Sequence, residues 1–183
     1  MIYHSTRDEK LTAAPTRAVL EGIAPDGGLY VCDPGKLDFD WQGTLQKDTM
    51  SMAADILGVL LPDFQDMNGL VRASYAGKFA SDDLTPLVPV GERYVLELYH
   101  GPTSAFKDVA RLGSAAAKQE GAGDVVILTA TSGDTGKAAL EGFHDVPGTR
   151  IMVFYPAGGV SPVQEAQMVT QEGGNVRVCA IRG

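Results

Sequence analysis

Apolar residues recur along this chain with two different periods, and the change from one to the other divides it. From Pro15 to Gly22 the pattern predicts a short helix with Val19 and Leu20 turned inward and Gly22 as its stop. Ala24-Pro25-Asp26-Gly27-Gly28 is turn chemistry leading into the apolar run Leu29-Tyr30-Val31. Helical spacing returns from Thr49 to Leu61, where Met52, Ile56, Val59 and Leu60 recur at helix spacing ahead of Pro62. A third helix is predicted over Asn68 to Phe79, with Leu70, Val71 and Tyr75 apolar. Residues 1–83 are therefore expected to form a small helix-rich N-terminal domain.

Beyond Leu84-Thr85-Pro86-Leu87 strands and helices alternate. Tyr94 to Leu98 reads as a short strand and Phe106 to Lys118 as a helix. Val125-Val126-Ile127-Leu128-Thr129-Ala130 is a continuous apolar run of the kind buried on both faces of a parallel sheet. Gly136 to Phe143 is predicted helical, Ile151 to Tyr155 a second buried strand, Ser161 to Glu172 a helix, and Asn175 to Ile181 a strand. Those three strands recur about every 25 residues, the spacing of βαβ units in a parallel sheet. Residues 84–183 are thus expected to be the first part of an α/β domain. The last strand ends at Ile181-Arg182-Gly183, where a loop into another helix would follow, so the chain reads as the N-terminal portion of a larger protein or as a truncated one.

Composition narrows the class without naming a function. The 183 residues are 44% hydrophobic and 21% charged, with no apolar run long enough to span a membrane and no secretion-signal core after Met1. A cytoplasmic location is expected. A net charge of −8 opposes nonspecific attraction to nucleic acid or to anionic membranes, while leaving small anionic ligands possible at local dipoles. Cys32 and Cys179 are far apart in strand-like apolar runs and are expected to be reduced core thiols, with no metal site or disulfide framework.

Two segments carry candidate chemistry. In His100-Gly101-Pro102-Thr103-Ser104-Ala105-Phe106-Lys107-Asp108, one lysine sits at the end of a Gly-Pro turn where a helical pattern begins. An amine forms a Schiff base only when unprotonated, and an apolar setting, offered here by Ala105 and Phe106, disfavours the ammonium form. Asp108 reads as a helix N-terminal carboxylate, and His100 as structural with a ligand role open. Thr129-Ala130-Thr131-Ser132-Gly133-Asp134-Thr135-Gly136-Lys137 joins the most apolar strand to a helix. Ligands collect beyond the C-terminal ends of parallel strands, and a glycine-containing loop entering a helix presents N–H groups to an anion. Thr131, Ser132 and Thr135 add hydroxyls. A P-loop is excluded by spacing, because the long glycine-to-glycine interval and the Ser or Thr after lysine are absent, which leaves Lys137 as a solvated first-turn side chain.

These two segments together resemble threonine synthase, a fold-type II pyridoxal-phosphate enzyme with a tryptophan synthase β-like sheet domain. Three further segments match in order: Tyr3-His4-Ser5-Thr6-Arg7, Val19 through Tyr30, and Tyr155-Pro156 with Val160-Ser161-Pro162-Val163-Gln164-Glu165. The resemblance implies that Lys107 forms the Schiff base with pyridoxal 5'-phosphate and later shuttles protons. It implies that Phe106 and Asp134 lie at the cofactor, Asp134 near its ring hydroxyl, and that Thr131, Ser132, Gly133 and Thr135 cradle the substrate α-carboxylate. The implied reaction turns O-phosphohomoserine and water into threonine and phosphate, in a monomer or homodimer.

Alternatives are a threonine synthase-like phospho-lyase of the same fold and a non-catalytic fragment. A plain dehydratase is disfavoured by the Ser5-Thr6-Arg7 and Pro25-Asp26-Gly27-Gly28 motifs. One departure stands out: Ala157-Gly158-Gly159 occupies a stretch where the family carries basic residues. The family's cofactor-phosphate loop lies beyond residue 183.

Overall fold

The structure, a computed structural model, describes residues 1–33, 35, 37–110 and 125–182. Its contacts divide the chain into two units, Met1–Ala73 and Ser74–Gly183. Among the described residues no helix is long and apolar enough to cross a membrane.

The first unit contains a small antiparallel sheet that the apolar pattern does not announce. Strands β1 (Tyr3–Ser5), β2 (Thr12–Ala13) and β3 (Tyr30–Val31) lie in the order β2-β1-β3. Two or three residues per strand are too few for alternation to register. What locks the sheet is polar: Ser5, fully buried, donates its hydroxyl to the Asp26 carboxylate at 2.8 Å, and Gly28 N donates to Asp26 Oδ1 at 2.9 Å. A Cβ at Gly28 would lie 2.0 Å from Ser5 Oγ, so only glycine fits.

Helices α1 (Pro15–Glu21), α2 (Trp41–Thr44), α3 (Thr49–Leu60) and α4 (Met67–Tyr75) follow. Helix α1 starts on Pro15 and stops at Gly22, whose φ of 68° suits glycine. Its inward side chains differ from the prediction. Val19 and Leu20 are 39% and 49% exposed, because the buried stripe runs from Pro15 to Ala18, three residues on, and turns the next two positions outward. Helix α3 is capped by Asp48, which accepts from Ser51 N at 3.1 Å, and buries Ala54 while leaving Ile56 exposed. Helix α4 buries Leu70, Val71 and Tyr75 as predicted, but ends four residues early, ahead of Gly77 at φ 68°.

The second unit opens with a hairpin. Strands β4 (Leu87–Val90) and β5 (Arg93–Leu96) pair Leu87 with Leu96 and Val90 with Arg93 around Gly91 at φ 61°. The main sheet is parallel, in the order β6-β7-β8, from Val125–Ala130, Thr149–Pro156 and Val176–Ile181. Helices α5 (Asp134–Phe143) and α6 (Pro162–Val169) connect these strands as two βαβ units. Leu140 and Met168 from the helices meet Ile151, Val153, Tyr155 and Val176 from the strands in one buried cluster, edged by Ile127, Phe143 and Val178.

Strand β6 corrects the expectation of burial on both faces. Val126 and Leu128 are exposed while Ile127 packs inward, since β6 lies at the sheet edge and both described crossover helices share one face. Strand β7 alternates likewise, with Ile151, Val153 and Tyr155 buried and Arg150 exposed. The predicted helix from Phe106 to Lys118 is a 3-10 turn over Phe106–Ala110, and its remainder lies outside the described residues. Cys32 and Cys179 are free thiols, half-buried where core positions were expected.

Candidate functional site

Lys107 stands on a turn built by its neighbour. Asp108 is fully buried and accepts from Thr103 N and from Thr103 Oγ1, each at 2.9 Å, closing the loop back onto the Gly101-Pro102 corner. A Cβ at Gly101 would come within 2.5 Å of the Asp108 side chain, so the corner requires glycine. Ser104 takes a left-handed φ of 54°, a conformation that costs a non-glycine residue about 1 kcal/mol. Asp108 lies in the first turn of the 3-10 helix, as read from the sequence, and is in addition the structural pivot of the segment. The sequence signal for this was a carboxylate following a Gly-Pro corner at a distance where it can fold back on the turn's amides.

The lysine amine itself makes no hydrogen bond or ion pair with the described residues. Lys107 is half-buried, with Nζ 4.1 Å from the centroid of the Phe106 ring. That ring is 59% exposed, so the apolar setting expected of Phe106 is a single aromatic face beneath the amine. Upstream, His100 Nε2 and Glu97 Oε2 are 2.7 Å apart and the imidazole stacks on Tyr99 at 4.6 Å. Hydrogen bonds from His100 and then from Tyr99 hold the Glu97 carboxyl below its ordinary range.

The second segment lies at the C-terminal end of β6. Thr131 Oγ1 accepts from Gly133 N and Gly136 N, both at 3.0 Å, and donates to Gly133 O at 3.2 Å. Its hydroxyl thereby organises the loop. Gly133, the N-cap of α5, is buried at φ 151° and ψ −111°, a region open only to glycine. Gly136 lets the helix approach the sheet, since a Cβ there would lie 2.4 Å from Thr131 Cγ2 and 2.9 Å from Val153 Cγ1. The hydroxyls of Ser132 and Thr135, and the N–H groups of Ser132, Asp134 and Thr135, have no protein acceptor among the described residues. Such donors at the start of an α-helix suit an anion.

The 3-10 turn that carries Lys107 packs against α5, which brings the two predicted segments together. A third segment joins them. Asp134 Oδ1 accepts from Gln164 Nε2 at 2.9 Å, at the start of α6, and buried Tyr155 donates to Glu165 Oε1 at 2.8 Å. That hydrogen bond, more than desolvation, raises the Tyr155 hydroxyl above its ordinary pKa. Lys137 differs from its reading as a solvated side chain. It is half-buried, donates to Gln171 Oε1 and lies 4.0 Å from Glu141, pinning α5 to the loop after α6. Gln164 is the member that residue-type reasoning passed over, because an amide carries no chemistry of its own; for Asp108 that reasoning gave the helix-terminal place and missed the contacts with Thr103.

Residues 2–88 match the family model described as threonine synthase N terminus. Across its whole length the chain is 34% identical over 208 residues to threonine synthase of Saccharomyces cerevisiae and 36% over 203 residues to that of Pseudomonas aeruginosa. It spans 40% and 41% of those proteins, about two-fifths of the curated relatives it matches. The solved structure of PLP-bound threonine synthase from Brucella melitensis superposes with a TM-score of 0.87 at 37% identity, covering 100% of this chain and 41% of that one. Along its entire length, in sequence and in backbone, the chain is similar to the N-terminal portion of threonine synthases.

Proposed function

We propose that this chain supplies the lysine and the carboxylate-binding loop of a threonine synthase active site. The complete gene product, on this reading, is a cytoplasmic fold-type II enzyme, monomeric or dimeric, that converts O-phosphohomoserine and water to threonine and phosphate with pyridoxal 5'-phosphate. One observation carries the reading: an amine unengaged among the described residues, on a tightly braced turn packed against the helix whose first turn presents donors without an acceptor among those residues.

The residues present fit the aldehyde end of the cofactor. Lys107 offers a primary amine that no carboxylate among the described residues occupies, and the acid next to it, Asp108, is committed to Thr103. Lys107, Phe106 and Asp134 are the side chains of this chain that would hold the group. When bound, pyridoxal phosphate supplies a conjugated ring that accepts electron density from the substrate carbons. Lys107 then holds and moves a proton at its Nζ, a role that needs the amine fixed in place, which the Thr103–Asp108 brace provides. Ser132 and Thr135 bind the substrate α-carboxylate, aided by the N–H groups and positive dipole end of α5. Gly133 allows close approach of the backbone, and Thr131 keeps the loop in shape from within.

The test uses the complete gene product. Incubation with pyridoxal phosphate and then borohydride is expected to place a reduced adduct on Lys107, located by peptide mass mapping. Lys107→Ala is expected to remove the visible absorbance and to lower phosphate release from O-phosphohomoserine by about 1,000-fold or more. A label on another side chain, or undiminished phosphate release, overturns the assignment. Identification of threonine as the product separates this reading from another phospho-lyase of the same fold.

A further inference from the structure

Gln164, in the first turn of α6, touches both residues that open α5. Its Nε2 donates to Asp134 Oδ1 at 2.9 Å. A Cβ placed on Gly133 would lie 2.4 Å from that Nε2 and 2.6 Å from Cδ, so the amide lies flat against the glycine. The opposite end of the amide is held by the helix cap. Oε1 accepts from Ser161 N at 3.2 Å and from Ser161 Oγ at 3.1 Å, while Gln164 N donates to Ser161 Oγ at 3.3 Å.

A capping box needs only the oxygen, and glutamate serves as well as glutamine. The donor aimed at Asp134 is therefore additional to the cap. It acts at Gly133, whose φ of 151° suits only glycine, and where the unclaimed donors begin. We propose that Gln164 is a positioning residue for the Thr131–Thr135 loop: it clamps Gly133 and Asp134 in the conformation that leaves the Ser132, Asp134 and Thr135 donors free for a carboxylate. The identity of that carboxylate rests on the active-site reading above; the clamp itself rests on the contacts.

Gln164→Glu separates the two duties. It keeps an oxygen for Ser161 and adds negative charge at a helix N-terminus, so α6 stays capped, while a carboxylate replaces the donor facing Asp134. In the complete gene product without cofactor, amide hydrogen exchange at Gly133 and Gly136, whose N–H groups Thr131 Oγ1 holds, is expected to accelerate about tenfold, with Tm within about 2 °C of the parent. With cofactor, KM for O-phosphohomoserine is expected to rise about tenfold and kcat to stay within about threefold. Gln164→Ala is expected to reproduce the loop effect and also to lower Tm, having lost the cap.

Unchanged exchange at Gly133 and Gly136 in Gln164→Glu overturns the proposal, as does faster exchange spread over the whole chain with a matching fall in Tm. An unchanged KM beside faster loop exchange also overturns it. Should the parent protein fail to turn over O-phosphohomoserine while Gln164→Glu still loosens the loop, the substrate assignment falls and the clamp stands.

Discussion

Asp108 shows how one carboxylate can fix the turn that carries the candidate lysine without touching its amine. Both of its oxygens accept from Thr103, and the whole side chain is removed from solvent. Hydrogen bonds to a charged acceptor contribute about 1.5–3 kcal/mol, and a buried donor left unpaired costs a similar amount. Asp108→Ala is expected to destabilise the protein by about 2–4 kcal/mol in denaturant titrations, since it orphans both the amide and the hydroxyl of Thr103. Gly101→Ala is expected to act in the same direction, because the new methyl meets the Asp108 side chain at 2.5 Å. A variant of Asp108 that is as stable as the parent would mean that the brace is not what holds the lysine's turn.

At the scale of elements, the junction between β6 and α5 depends on how closely a helix can approach a sheet. Gly136 is the point of approach, with Thr131 and Val153 already within the space a side chain would need. Gly136→Ala must therefore lift the first turn of α5 off the sheet. The expected cost is about 1–3 kcal/mol in stability, although alanine is intrinsically the better helix former by about 1 kcal/mol. The opposing signs make the test sharp: a stabilised Gly136→Ala protein would show that α5 has room to spare. Lys137 and Gln171 hold the same helix to the loop beyond α6, so the donor-bearing turn is tethered through both Gln164 and Lys137.

The molecule as a whole carries an excess of acids, and several of them are bound in ways that depend on their charge. Gly28 N–H and Ser5 lower the Asp26 carboxyl, Ser51 lowers Asp48, Lys47 and then Thr44 lower Asp55, and His100 lowers Glu97. A carboxyl with a folded pKa below its unfolded one contributes stability that is present above the unfolded value and lost as pH falls through the folded value. Tm is therefore expected to be flat from about pH 7 to pH 5 and to fall below about pH 4, where these groups take up protons. Asp26→Asn is expected to flatten part of that acid limb, and an acid limb identical to the parent's would exclude Asp26 from it. The effect acts within each unit, since Asp26, Asp48 and Asp55 belong to Met1–Ala73 and Glu97 to Ser74–Gly183.

Much of this arrangement is legible in the order of residues. Periodicity located α3, α5, α6 and the three parallel strands to within a few residues, because each is long enough to show its repeat, and the three helices begin at caps of their own, Asp48, Gly133 and Ser161. The Gly-Pro corner before Lys107 and the hydroxyl-rich turn after β6 are equally local, so the candidate lysine and loop could be named from composition and spacing. Contacts between distant positions could not. Strands β1 and β2 are too short to show alternation and exist because each has a partner, and Val19 faces solvent because Pro15 and Ala18 take the inward side. The bracing of Lys107 by Asp108, the meeting of its turn with α5, and the reach of Gln164 across 30 residues to Asp134 arise only when the chain is folded. Local sequence sets dihedral preferences and caps, which act over a few residues; which side chain stands within hydrogen-bonding distance of a remote loop is settled by packing, and here packing alone brought the turn that carries Lys107 against α5.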